Sequence, residues 1–108
     1  MFTIRESKKG SLTSLKLSGE LSIYTAAQAR EELLSRLGKH KSLELDLWAI
    51  EELDTAGVQV LLWAKREVLG HDRTLPFVNH SPAVIEVFDL LKVTSIFGDP
   101  ILIAPIGS

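Results

Sequence analysis

The chain has 108 residues, 45% of them hydrophobic and 24% charged, enough for one domain with one core over residues 1–108. Twelve basic and 14 acidic residues leave a net charge of −2, which gives no electrostatic ground for nucleic-acid binding. The absence of cysteine excludes disulfides, thiolate chemistry and cysteine-ligated zinc. No apolar run approaches membrane-spanning length, and the opening Met1-Phe2-Thr3-Ile4-Arg5-Glu6 lacks the apolar stretch of a signal peptide. A cytoplasmic protein without membrane insertion is expected.

Strands and helices alternate along the chain. Phe2 to Glu6 reads as a short strand, followed by a turn at Ser7-Lys8-Lys9-Gly10. Leu12 to Ser18 reads as a second strand, with Leu15 and Leu17 on one face and Ser14, Lys16 and Ser18 on the other. The two make an antiparallel hairpin. After a loop over Gly19 to Ile23, Thr25 and Gln28 have the spacing of a capping box. The helix beyond them presents Ala26, Ala29, Leu33, Leu34 and Leu37 on one face and stops at Gly38. A third strand covers Leu43 to Leu47 or Trp48. A second helix runs from about Thr55 to Leu69 and ends at Gly70, with Val58, Leu61, Leu62, Val68 and Leu69 as its buried stripe. Leu75 to Asn79 is a fourth strand whose Pro76 must lie where no partner needs an N–H. Ser81-Pro82 reads as N-cap and first residue of a third helix with the stripe Val84, Val87, Phe88 and Leu91. Thr94 to Phe97 and Ile101 to Ile103 are short apolar segments, one of them an expected edge strand.

Alternating strands and helices argue for a largely parallel, mixed sheet in an α/β domain. Lys16, Glu44 and Asp46 sit mid-strand opposite the leucines, whereas a sheet covered on both sides would have continuous apolar strands. The helices are therefore expected mainly on one face, with the other partly wet.

The segment Leu53-Asp54-Thr55-Ala56-Gly57 joins the third strand to the second helix. It places a hydroxyl where backbone N–H groups are unpaired and the helix dipole is positive. Such a threonine can be a plain cap or can itself be phosphorylated. Catalytic patterns are missing: the chain has no phosphate-cradling glycine loop and no nucleophile elbow. His40, His71 and His80 fall in three separate loops or element ends, without a second ligand at helical spacing. Glu51, Glu52 and Asp54 read as a solvated acidic cluster complementing the helix start. A non-enzyme without metal or cofactor is expected.

Gly19-Glu20-Leu21, Leu45-Asp46-Leu47, Leu53-Asp54-Thr55-Ala56-Gly57 and Asn79-His80-Ser81-Pro82-Ala83-Val84 occur in the order and spacing of STAS domains, and in these the whole chain resembles the anti-sigma factor antagonists and their relatives. The resemblance implies a single STAS-like domain. It implies that Thr55 is phosphorylated by an ATP-dependent anti-sigma kinase, that the unmodified form binds that kinase or a relative, and that a phosphatase resets the switch. Two positions depart from the common pattern: many antagonists carry serine at the position of Thr55, and family members often carry aspartate where this chain has Ser22.

The expected partner surface combines Ser22, Ile23 and Tyr24 with Asp54, Thr55, Ala56 and Gly57, and with Asn79 and His80, if these segments meet at one end of the sheet. Gln59, Trp63 and Arg66 follow at i, i+4 and i+7 on another face of the second helix. Trp63 reads equally as an exposed anchor or as peripheral core. Trp48 is open in the same way: it ends the third strand on the polar-side register, where it can cover the open sheet face, and Tyr24 reads as a loop plug or a contact. Alternatives within the same resemblance are an accessory subunit of a lipid-transport ATPase and a scaffold in a chemotaxis or two-component complex, neither needing phosphorylation. A monomer is expected, with an edge strand able to support weak pairing of two copies.

Overall fold

The computed structural model describes residues 1–92. Strands β1 (Phe2–Lys9) and β2 (Leu12–Leu21) pair antiparallel, from Phe2 opposite Gly19 to Lys9 opposite Leu12. The turn between them is tighter than the sequence suggests, because Gly10 takes a φ of 65° and lets the ladder run on through Lys9. Strand β3 (Leu43–Leu53) lies parallel to β2, and the two-residue β4 (Phe77–Val78) lies parallel to β3, giving the order β1-β2-β3-β4. Helices α1 (Ala26–Leu37) and α2 (Thr55–Leu69) make the crossovers, and α3 (Pro82–Leu91) follows β4.

The expected mixed α/β sheet with an N-terminal hairpin is what forms. Leu15, Leu17, Leu45 and Leu47 are buried on the helix side, while Lys16 is exposed and Trp48 is 48% exposed. The other face is not uniformly wet. Ser14 and Glu44, opposite each other in the β2–β3 register, are both buried, with Lys9 Nζ 3.5 Å from the Glu44 carboxylate. Pro76 precedes β4, and its carbonyl accepts the Leu45 N–H at 2.9 Å, so the ladder loses nothing by its missing donor.

Several elements differ from the sequence reading. β3 runs six residues beyond Leu47, and its pairing with β2 shifts register twice, between Lys16 and Ser18 and between Gly19 and Glu20. Each shift interrupts the period of two that marks a strand, which hides Ala49–Leu53 from periodicity. Trp48 therefore lies mid-strand rather than at a strand end. In α1, Leu34 is 55% exposed, because it stands one residue, about 100°, off the stripe of Ala29, Leu33 and Leu37. Leu69 is likewise turned out beside buried Val68, and α2 buries Val60 and Ala64 instead. In α3, Val84 and Phe88 are buried, Val87 is half-buried and Leu91 is exposed. The segments Thr94 to Phe97 and Ile101 to Ile103 lie outside the described residues.

β2 and β3 end side by side, with Leu21 opposite Leu53, and α2 begins two residues later. That shared end of the two central strands positions the candidate site.

Candidate functional site

Asp54 is the N-cap of α2. Its backbone is extended (ψ −175°), its Oδ1 accepts the Gly57 N–H at 2.9 Å, and its carbonyl accepts the Val58 N–H at 3.0 Å. Thr55 is thereby the first helical residue, exposed to solvent. Capping does not account for its hydroxyl, because Asp54 supplies the cap.

The second carboxylate oxygen of Asp54 reaches across to the β2–α1 loop, where Oδ2 accepts the Ile23 N–H at 3.0 Å. Within that loop the Ser22 hydroxyl donates to the Glu20 carboxylate and accepts the Tyr24 N–H at 3.2 Å. The Thr25 hydroxyl accepts the Ser22 N–H at 3.0 Å and donates to the Glu20 carbonyl at 2.8 Å. Thr25 is therefore not one half of a capping box. It occupies the N-cap position of α1 with no side-chain cap bond, its hydroxyl being spent on the loop, and Gln28 Nε2 turns instead to the Phe2 carbonyl and Glu32. This network holds Ile23 and Tyr24 outward, 68% and 89% exposed, so Tyr24 plugs nothing.

Gly57 joins the site through its backbone. A Cβ there would overlap the Leu21 carbonyl oxygen and come within 2.7 Å of Leu53 Cδ1, so glycine lets the first turn of α2 press against the ends of β2 and β3. Ala56 is half-buried and Gln59 exposed. Ile23, Tyr24 and the first turn of α2 together make a ridge, and Glu20, Glu51 and Glu52 line a shallow cleft of about 420 Å³ with Ser18 and Ala49. Glu51 and Glu52 are exposed, which makes this end of the domain acidic.

Other expected members stand apart. Val78 is opposite Asp46, seven residues short of Leu53, so Asn79 leaves the sheet well before the shared end of β2 and β3. Asn79 is exposed with φ 54°. His80 is turned into the core, 2% exposed and edge-on to Phe88 with ring centroids 5.7 Å apart. Trp63 is half-buried, packed against the core, with the Arg30 guanidinium 4.8 Å above its ring. It joins α1 to α2 as peripheral core. Among the described residues, no three histidine, aspartate or glutamate side chains gather as a metal site, and no helix is long and apolar enough to cross a membrane.

A family model described as "Mlab, STAS domain" matches residues 4–102. The chain belongs to the STAS-domain family. Among solved structures, an anti-sigma factor antagonist from Mycobacterium paratuberculosis superposes with a TM-score of 0.78 at 23% identity, covering 94% of this chain and 88% of its own. The anti-sigma factor antagonist SpoIIAA in its unphosphorylated form gives 0.66 at 21% identity, covering 96% and 89%. The Bacillus SpoIIAA in its phosphorylated form gives 0.65 at 21% identity, covering 91% and 86%. These likenesses establish a shared fold. No curated protein matches the chain.

The sequence reading named the residues of the ridge but missed what joins them: the two-armed Asp54 carboxylate and the Glu20–Ser22–Thr25 network. The pair Ser22 and Thr25, two hydroxyls closing a loop after Gly19-Glu20-Leu21, was the available signal.

Proposed function

We propose that this STAS domain is a non-catalytic regulatory binding module that docks a protein partner on the ridge formed by Ile23, Tyr24 and the first turn of α2, and that phosphorylation of Thr55 by an ATP-dependent anti-sigma kinase switches it. The observation that carries this reading is the exposed Thr55 with its capping duty discharged by Asp54, next to two exposed apolar side chains. A phosphate on Thr55 adds about −1.5 to −2 charges and three strong acceptors. The helix start favours that charge, whereas Asp54, Glu51 and Glu52 oppose it. The fold itself tolerates the charge, while a partner seated over the ridge would bury it unpaired at a cost of several kcal/mol. Docking is then lost without unfolding.

A second reading keeps the ridge and drops the switch: an accessory subunit of a transport ATPase, docked constitutively. Two observations favour it. The neighbourhood of Thr55 is already acidic, and the loop position where relatives often carry aspartate is Ser22, committed to Glu20 and Tyr24.

Capture of partners from native-cell lysate on immobilised wild type and Thr55→Glu, followed by mass spectrometry, separates the two. The switch predicts a kinase-fold ATPase held by wild type and lost by Thr55→Glu. Equal retention of one transport ATPase or signalling complex by both baits overturns the switch and leaves a constitutive subunit.

A further inference from the structure

The Asp54 carboxylate is shared by hydrogen bonds between the β2–α1 loop and the start of α2. Its inner arm, Gly57 N–H to Oδ1, is part-buried and belongs to the helix cap. Its outer arm, Ile23 N–H to Oδ2, lies in solvent and belongs to the docking loop. Thr55 is its covalent neighbour. We propose that Asp54 is a positioning residue that couples the charge at Thr55 to the Ile23–Tyr24 loop: a new anion at Thr55 drives the carboxylate off Ile23 by repulsion, and the two apolar side chains lose their fixed presentation. The regulation proposed here rests on the reading of Thr55 as the switched residue.

The order in which the arms give way follows from their surroundings. A like charge one residue away repels the carboxylate and competes for the N–H groups of the helix start. Water replaces the exposed outer arm at little cost, whereas it reaches the part-buried inner arm poorly, so the Ile23 bond opens first. The loop is left held by the Ser22 and Thr25 hydroxyls and by the Thr25 N–H, which donates to the Ser22 carbonyl at 3.0 Å. Among the described residues, the charged side chains bonded to the loop are Glu20, at the end of β2, and Asp54, and those lining the cleft with Glu20 are Glu51 and Glu52, all four acidic.

Amide hydrogen exchange measured by NMR on the full chain tests this without any partner. Four proteins are compared: wild type, Thr55→Glu, Asp54→Ser, and the double variant. Serine keeps an N-cap acceptor for Gly57 but has no second oxygen for Ile23. Exchange at Ile23 is expected to quicken about tenfold in Thr55→Glu and in Asp54→Ser, with no further gain in the double variant and protection kept at Gly57. A nearby negative charge alone repels hydroxide and slows exchange, so quickening in Thr55→Glu reports a lost bond rather than a field. Unchanged or slower exchange at Ile23 in Thr55→Glu overturns the coupling, as does an equal Thr55→Glu effect with and without Asp54. If Asp54→Ser folds poorly, Asp54→Asn, whose amide nitrogen cannot accept from Ile23, takes its place under the same criteria. Because this readout needs no partner, the coupling fails on it while the lysate capture can still succeed, and the reverse.

Discussion

The domain has two helix starts built from the same local device and put to different ends. Asp54 caps α2 by accepting from Gly57, and Ser81 caps α3 by accepting from Val84 at 3.1 Å, each three residues along. At Ser81 the capping groups face inward: the serine is 2% exposed, His80 before it is buried, and Val84 is fully buried. Pro82 fills the first helical position and leaves no free N–H there. At Asp54 the first helical position carries an exposed hydroxyl, and the cap has a spare oxygen that reaches a neighbouring loop. A helix start becomes a candidate site through burial and spare valence, since the capping bond is common to both.

The sharpest contrast is at the residue that donates to each cap. At α2 it is Gly57, jammed against the Leu21 carbonyl; at α3 it is a valine. In an open helix, Gly→Ala stabilises by up to about 1 kcal/mol. Gly57→Ala is expected to do the opposite, because the methyl meets backbone. Overpacking of this kind costs about 3 kcal/mol, which in a domain of this size lowers the melting temperature by roughly 12 °C or more. Calorimetry or thermal circular dichroism reads it directly. A neutral or stabilised Gly57→Ala would show that α2 does not press on the strand ends as described.

Ser81→Ala comes next. It strands the Val84 N–H in a buried setting, at about 1–2 kcal/mol. Asp54→Ser, which keeps a capping oxygen, is expected to cost less than about 0.5 kcal/mol. Urea titrations should show the midpoint falling for Ser81→Ala with an unchanged m-value and scarcely moving for Asp54→Ser. Partner capture should rank them the other way, intact for Ser81→Ala and weakened for Asp54→Ser. If both properties follow the same ranking, the two helix starts are alike and the division of roles fails.

Both helix starts are legible in the amino-acid sequence itself. Asp54-Thr55 and Ser81-Pro82 are unambiguous punctuation, and α2 occupies the Thr55–Leu69 span read from periodicity. The signals that fail share one cause: a side chain engaged with a neighbour distant in sequence or packing. Thr25 reads as a cap, but its hydroxyl is taken by the β2–α1 loop. Ala49–Leu53 reads as loop because two register shifts scramble the alternation. His80 reads as available because it lies in the predicted loop before the third helix, yet it packs on Phe88, a residue of α3 eight positions further on. Local grammar gives where elements begin; which side chains remain spare afterwards is a tertiary outcome.

The smallest predicted effect is also the one on which the comparison depends. If Asp54 alone caps α2, replacing the Thr55 hydroxyl by a methyl should be almost silent in stability. Thr55→Val keeps the β-branched shape and a near-identical helix propensity, so only the hydroxyl is removed. The expected change is within about 0.5 kcal/mol, as for an exposed substitution away from a cap. Equilibrium denaturation measures it. A loss beyond about 1 kcal/mol would mean that the hydroxyl carries structure, and Thr55 would then resemble Ser81 rather than contrast with it. A silent Thr55→Val that still captures the partner but can no longer be modified would separate the hydroxyl from the ridge: the ridge docks, and the hydroxyl serves only to receive the charge that ends docking.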